Sequence, residues 1–153
     1  MSEEMKIVVF KLAHEEYGIE VDKVKTIERM MPITRVPKTY NFIKGVINLR
    51  GVVVPVMELS GRFGLSQETY TDQTRIIIVQ VGEMEIGFIV DSANDVIDIL
   101  EDKIEPAPEV VGGIQARYLR GVAKISEERL LILLNLSEVL RKDEIVNLEQ
   151  LEV

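Results

Sequence analysis

Cysteine and tryptophan are absent from this 153-residue sequence, and histidine occurs only once. Without cysteine the chain can form no disulfide bond, thiolate metal site or cysteine nucleophile. No apolar run approaches the roughly 20 residues that a membrane-spanning helix requires. The N-terminal MSEEMK lacks the basic and apolar segments of a secretory signal. We therefore expect a soluble, cytoplasmic protein without direct membrane insertion.

Positive charge and aromatic residues are also scarce. Eighteen Lys and Arg residues stand against 26 Asp and Glu, which gives a formal net charge of −8, and aromatic residues make up 5%. An acidic chain is repelled by nucleic-acid phosphates, and single-strand binding needs a basic groove with stacking aromatics. We therefore expect no nucleic-acid partner, although an OB-fold-like nucleic-acid-binding protein remains the alternative interpretation.

Groups that could perform catalysis are few. His14 lies in a predicted hairpin turn, AHEE, where a solvated residue is more common than a catalytic one. Asp98, Glu101, Asp102 and Glu105 could bind a hard cation, but their spacing matches no calcium loop and favours a solvated acidic face. No glycine-rich phosphate loop is present. The sequence predicts a protein that is not an enzyme and has no cofactor or metal.

The sequence repeats itself with a period of about 70 residues. Three pairs of segments match in the same order: 6–22 with 75–91, 42–49 with 118–125, and 52–60 with 130–137. Gly18 matches Gly87, and the apolar share is mostly Val, Ile and Leu, which favours strands. We predict two related β-barrel-like halves, 6–60 and 75–137, joined by a polar linker, 61–74. Neither half is large enough to bury a generous core alone, so the halves should pack together.

Local patterns predict short helices as well. Val24 and Ile27 stand at helical spacing, which predicts a short helix over 23–30 with Asp22 as its N-cap. One helical turn is predicted over 38–44. A C-terminal helix is predicted over 137–150, with its first residue, a serine, as N-cap.

An apolar set follows the first predicted hairpin. Val21, Val24 and Ile27 are spaced three apart, and the second copy offers a corresponding set of Val90, Ala93, Val96 and Ile97. These residues could belong to a core. Alternatively, the two copies could face each other and leave an apolar groove, which would accept an amphipathic helix.

Arg50 interrupts FIKGVINLRGVVVPVMEL (42–59), the most hydrophobic part of the chain. It is either a turn residue with a solvated head or a buried cation paired with Glu28 or Glu58. The arginine does not recur in the second copy. The preceding Gly45 does recur, as Gly121.

Several motifs together resemble the CheW-type chemotaxis coupling proteins of bacteria. They are EEYGIEVDKVKTIE (15–28), FIKGVINLRGVVVPVMEL (42–59), IGFIVD (86–91), DKIEPAPE (102–109), YLRGV (118–122) and LLILLNLSEVL (130–140). The resemblance runs from about residue 6 to residue 142 and implies a single domain over 1–153. It implies a mainly β fold, a partly swapped tandem pair of small five-stranded OB- or SH3-like barrels with short helices and a C-terminal helix.

The resemblance also implies partners and sites. The expected partners are the regulatory domain of the chemotaxis histidine kinase, CheA, and the cytoplasmic helical-hairpin tips of transmembrane chemoreceptors, so that the protein would be recruited to membrane-associated receptor arrays. Five apolar residues match the receptor-facing set of the family: Val8, Val21, Val24, Ile27 and Ala93. Gly45 and Arg50 match a motif in which substitutions are expected to impair coupling. The family's acidic partner for that arginine is replaced here by Thr26, so Glu28 is the candidate substitute.

Overall fold

A computed structural model describes residues 3–65, 69–111 and 114–150. The strands are β1 Glu4–Leu12, β2 Glu15–Glu20, β3 Val24–Arg29, β4 Ile43–Leu49, β5 Val52–Glu58, β6 Arg75–Val81, β7 Met84–Val90, β8 Ser92–Leu100, β9 Ile104–Glu105, β10 Val110–Val111, β11 Ile114–Gln115, β12 Leu119–Lys124 and β13 Leu130–Leu134. The α-helices are α1 Leu59–Phe63, α2 Leu136–Val139 and α3 Lys142–Glu149. The predicted mainly β fold is confirmed.

Eleven strands form two mixed sheets that exchange a hairpin, and β10 pairs with β11 in a separate two-stranded sheet. We call the five-stranded sheet, with the order β3-β6-β7-β5-β4, barrel 1, and the six-stranded sheet, with the order β8-β1-β2-β13-β12-β9, barrel 2. The five strands expected of each barrel are found in barrel 1, whereas barrel 2 has a sixth, the two-residue β9. The β1–β2 hairpin from the first half of the chain therefore belongs to barrel 2, and the β6–β7 hairpin from the second half belongs to barrel 1. The two parallel pairings, β2 with β13 and β5 with β7, occupy equivalent places. The partly swapped duplication expected from the resemblance is thus observed.

The exchanged hairpins are apolar on both faces because both faces are buried. Ile7 and Val9 belong to the core of barrel 2, whereas Ile76 and Ile78 belong to the core of barrel 1. The alternate residues of the same strands join a third and larger core, which lies between the barrels and contains Phe10, Leu12, Tyr17, Ile77, Val79 and Phe88. We call this boundary between the barrels the seam. A strand that is buried on both faces has a nearly continuous run of hydrophobic residues, as β1 and β6 do.

Matching glycines mark places where the strands approach closely. A Cβ atom on Gly18 would lie 2.5 Å from Cγ2 of Ile7, and one on Gly87 would lie 2.7 Å from Cγ2 of Ile76. Neighbouring core side chains already fill the space that any side chain at these positions would need. Both glycines are therefore required by the close packing of the hairpins.

The prediction of a helix over 23–30 is wrong. Residues Val21–Lys23 form a 3-10 turn, and Val24–Arg29 form β3, which pairs antiparallel with β6. The register shifts between Val24 and Thr26, so the three-residue spacing of Val24 and Ile27 spans a β-bulge. Edge pairing with an apolar strand has overridden a weak local helical signal.

The remaining helix predictions are also corrected in part. Residues 38–44, predicted as one helical turn, are not helical. They form bends and a turn that lead into β4 at Ile43. The C-terminal helix predicted over 137–150 is interrupted at Leu140, whose backbone is extended, so that α2 and α3 are separate. The cap of α2 is Asn135, whose side-chain oxygen accepts a hydrogen bond from the Ser137 N–H at 3.2 Å. Of the predicted linker, 61–74, the first residues complete α1, and residues 66–68 lie outside the described residues.

Candidate functional site: an apolar seam between two edge strands

Two edge strands flank the seam at equivalent positions of the repeat. Strand β3 pairs only with β6 in barrel 1, and β8 pairs only with β1 in barrel 2, among the residues that the structure describes. Val24 near the start of β3 and Ala93 near the start of β8 both pack against the seam core. They are 69 residues apart, the same offset that relates the two hairpins. Duplication has therefore placed two copies of one edge strand beside one apolar boundary.

The outer parts of these two strands carry exposed apolar side chains. Ile27 on β3 is 42% exposed, and Val96, which is its repeat equivalent on β8, is 57% exposed. Large apolar residues with this exposure on matched strands are typical of an interaction surface. We call Val24, Ile27, Ala93 and Val96 the seam patch.

The five residues expected to face a receptor are distributed around this patch. Val24, Ile27 and Ala93 belong to it. Val21 is half-buried in the 3-10 turn that precedes β3, and this turn contacts β1. Val8 is only 4% exposed and lies opposite Val96 in the β1–β8 pairing. It therefore supports the neighbouring strand and offers little surface of its own.

Val96 is the residue of the seam patch that is missing from the set expected of the family. The gapless match of 6–22 with 75–91, extended by five residues, already aligns Ile27 with Val96. The sequence therefore contained the signal that identifies it. Its exposure follows from the edge position of β8, which the sequence pattern alone does not show.

The structure provides no platform for stacking nucleobases. All eight aromatic residues lie in the described part of the chain, and six of them are buried: Phe10, Tyr17, Phe42, Phe63, Phe88 and Tyr118. Burial raises the pKa of Tyr17 to about 12, with the Glu15 carboxylate as a smaller cause. The other two aromatic residues, Tyr40 and Tyr70, are half-buried. An OB-fold surface that binds single strands uses successive exposed rings beside cations, so these rings give that interpretation little support.

Metal-ligating residues do not cluster in the described part of the chain. No group of three or more His, Cys, Asp or Glu side chains there could hold a metal ion. Of the acidic residues considered from sequence, Asp98 lies 3.2 Å from Nζ of Lys6, and Glu101 lies 3.2 Å from Nη2 of Arg120. These are exposed ion pairs. No helix among the described residues is long and apolar enough to cross a membrane.

The comparisons with known proteins agree with this architecture. A family model described as a CheW-like domain matches residues 6–144. The chain belongs to the CheW-like family. The protein named chemotaxis protein CheW from Bacillus subtilis is 45% identical over 138 residues, which cover 90% of this chain and 88% of the relative. The protein of the same name from Klebsiella aerogenes is 37% identical over 139 residues, covering 91% of this chain and 83% of the relative.

A solved structure shows the same fold. The crystal structure of the scaffolding protein TtCheW from Thermoanaerobacter tengcongensis superposes with a TM-score of 0.84 at 37% identity, covering 94% of this chain and 92% of that chain. The relatives carry the names of chemotaxis and scaffolding proteins. The chain is therefore a CheW-family adaptor in chemotaxis.

Within this family fold, Arg50 is an exposed turn residue. Its backbone is left-handed, with φ of 51°, and its side chain is 70% exposed. Nη2 lies 3.6 Å from Oε2 of Glu28, so the ion pair links the β4–β5 turn to β3. Of the two candidate partners, the structure selects Glu28. Glu58 accepts a hydrogen bond from the Tyr70 hydroxyl at 2.9 Å and lies 3.3 Å from Nζ of Lys44.

The residue that replaces the family's acid has a different environment. Oγ1 of Thr26 is buried without a hydrogen-bond partner among the described residues. An acid at this place would need a partner for its charge, whereas a small hydroxyl costs less to bury. The acid that pairs with Arg50 in this chain therefore lies two residues farther along β3, at Glu28.

Gly45 has a structural reason to be glycine. A Cβ atom at this position would clash with the backbone carbonyl of Thr34, which accepts a hydrogen bond from the Val46 N–H while the Thr34 N–H donates to the Val46 carbonyl. A Cβ atom on its repeat equivalent, Gly121, would likewise clash with the backbone carbonyl of Glu105 in barrel 2. Gly45 therefore has a packing role, and a substitution there would displace the segment that precedes β4.

Proposed function

We propose that this protein couples transmembrane chemoreceptors to the chemotaxis histidine kinase CheA by binding both at the same time. The observation that carries the proposal is the seam patch. It is apolar, it is built from two copies of one edge strand, and it is exposed at Ile27 and Val96. The family to which the chain belongs provides the biological context.

The shape of the seam patch favours a helical partner. Each of the two edge strands has a half-buried apolar residue packed against the seam core and an exposed apolar residue beyond it. An amphipathic helix presents apolar anchors at i, i+3, i+4 and i+7, which suit an apolar surface of this kind. The helical-hairpin tip of a chemoreceptor has this chemistry.

A second partner needs a second surface, and the ends of the barrels offer one. Val52 and Val53, at the start of β5, are 55% and 53% exposed, and Leu130, at the start of β13, is 50% exposed. Val53 and Leu130 are equivalent in the repeat. Exposed apolar residues away from the seam support a separate protein interface there. We assign these barrel ends to the kinase regulatory domain.

Binding to receptors would also explain how the protein reaches the membrane. The described residues contain no membrane-spanning helix, so recruitment to a receptor array would depend on the seam patch. Disrupting this patch should release the protein from the array while its fold remains intact.

The test uses two folded variants with opposite expected effects. Binding to a soluble chemoreceptor cytoplasmic fragment and to the CheA regulatory domain is measured by isothermal calorimetry. Ile27→Asp should weaken receptor binding at least about tenfold, because it places a charge in an apolar contact, and should leave kinase binding unchanged. Val53→Asp should weaken kinase binding and spare receptor binding. Failure of the folded wild-type protein to bind either partner would refute the proposal.

A further inference from the structure

A strip of positive charge borders the seam patch on the β3 side. The exposed residues of β3 are Lys25, Ile27 and Arg29, so cations stand on both sides of the apolar contact. Neither Lys25 nor Arg29 forms an ion pair with the residues that the structure describes. Arg29 also lies opposite Arg75 in the β3–β6 pairing, which adds a third cation beside the strip. Such a concentration is unusual in a chain with a net charge of −8.

The equivalent strand on the other side of the seam has the opposite charge. Asp98 on β8 is exposed on the same strand face as Val96 and is the repeat equivalent of Arg29, whereas Asp95 lies opposite Val9 and belongs to the other face of the strand. Nζ of Lys6 lies 3.2 Å from the Asp98 carboxylate and neutralises part of its charge. The apolar contacts have therefore been kept in both copies, whereas the charges beside them have diverged, and the basic strip is the stronger of the two.

We infer that the seam accepts its helical partner in one orientation, with acidic residues of the partner against Lys25 and Arg29 on β3 and basic residues towards Asp98 on β8. This inference rests on the proposed function and adds the charge pattern of the partner. The apolar patch alone is close to two-fold symmetric and would accept a helix in either direction. The charges remove that symmetry, because a reversed helix would bring like charges together.

The expected effect is moderate because the charged groups are exposed. Each exposed ion pair changes an affinity by only about two- to fivefold. Reversing both cations of the strip replaces attraction with repulsion at two contacts, and should weaken binding by about tenfold. The interaction should weaken with salt, since the Debye length is about 10 Å at 0.1 M ionic strength.

The first experiment measures affinity. Lys25→Glu with Arg29→Glu is compared with a control of equal charge change, Lys38→Glu with Lys124→Glu, at exposed positions outside β3 and β8. Both proteins are titrated with the same chemoreceptor cytoplasmic fragment at low and high salt. We expect about tenfold weaker binding for the β3 variant and a smaller salt dependence, with the control close to wild type. Equal affinities for the two variants would overturn the inference.

The second experiment measures orientation. A spin label is placed on the acidic side of the receptor fragment's apolar stripe, and the protein carries isotope-labelled methyl groups. The label should broaden the Ile27 signal more than the Val96 signal in the wild-type protein. In a variant with these three charges exchanged, Lys25→Asp, Arg29→Asp and Asp98→Lys, the order should reverse. Equal broadening of both signals in the wild-type complex would overturn the inference.

The outcomes separate this inference from the proposed function. If the folded wild-type protein does not bind the receptor fragment, the proposed function fails and the inference fails with it. If the fragment binds but charge reversal changes neither affinity nor orientation, only the inference fails. Complementary strips could instead join two copies of this chain. Concentration-dependent association by sedimentation that Lys25→Glu with Arg29→Glu abolishes would overturn the assignment to a helical partner.

Discussion

The contact between Arg62 and Glu144 offers a quantitative test of how the C-terminal helices are held. Arg62 of α1 donates to both carboxylate oxygens of Glu144 on α3, at 2.8 and 3.1 Å, and its Nε–H donates to the Val139 carbonyl at 2.8 Å. The two side chains are 11% and 2% exposed. The guanidinium also lies 4.7 Å from the ring centroid of Phe42. This ion pair is buried, bidentate and fully hydrogen-bonded.

Removing one partner should cost much more than removing both. Glu144→Gln leaves a guanidinium without a counter-charge and should lower the free energy of unfolding by about 3–5 kcal/mol. The double variant Arg62→Met with Glu144→Leu replaces the pair by apolar groups. It should be less destabilised than the variant that carries Arg62→Met alone or Glu144→Leu alone. Asp143→Asn on the same helix removes an exposed pair, 3.4 Å long, and should cost less than about 1 kcal/mol.

Urea denaturation followed by circular dichroism measures these differences. With a slope of about 1.5–2 kcal/mol per molar urea, a loss of 3–5 kcal/mol lowers the midpoint by roughly 2 M. The double-mutant cycle formed by Arg62→Met, Glu144→Leu and their combination should give a coupling energy of at least about 2 kcal/mol between Arg62 and Glu144. A coupling near zero, or a Glu144→Gln midpoint equal to that of Asp143→Asn, would refute the reasoning that burial makes this pair strong.

Two further predictions concern the seam core and the strands beside it. Gly18→Ala and Gly87→Ala should each destabilise the protein by about 1–3 kcal/mol in urea, because the new methyl group meets an isoleucine side chain at 2.5 or 2.7 Å. Unchanged midpoints would show that the strands can separate without cost. Because the pKa of Tyr17 is raised to about 12 from 10.0, its contribution is constant below pH 10, and stability falls as pH rises from 10 towards 12. Tyr17→Phe should flatten the stability profile in that range, and an unchanged profile would contradict the raised pKa.

The strand content and the duplication could be predicted because they depend on patterns that can be read directly along the sequence. The match of 6–22 with 75–91 predicts two equivalent hairpins, and the structure has them as β1–β2 and β6–β7. Their exchange between barrels was expected only from the resemblance. The hydrophobic pattern of a hairpin indicates that both of its faces are buried, but it does not indicate which sheet the hairpin joins.

Local helical signals failed at the seam for a physical reason. Val24 and Ile27 match helical spacing because a bulge inserts one residue between their strand positions. The competing energy comes from β6, which lies about fifty residues away in the chain and offers Val79 and Ile77 as neighbours. The helix propensity of a six-residue segment contains no information about such a distant partner. The pairing with β6 therefore determines that the segment forms a strand.

The repeat also separates what the fold requires from what the function can vary. Gly45 and Gly121 recur because a backbone carbonyl occupies the space of a side chain in both barrels. Exposed positions beside the seam meet no such constraint, so Arg29 and its equivalent Asp98 could take opposite charges without strain. Exposed positions can therefore diverge between the copies where core positions cannot, and under the proposed function the charged borders of the seam patch are the part of this surface in which specificity is expected.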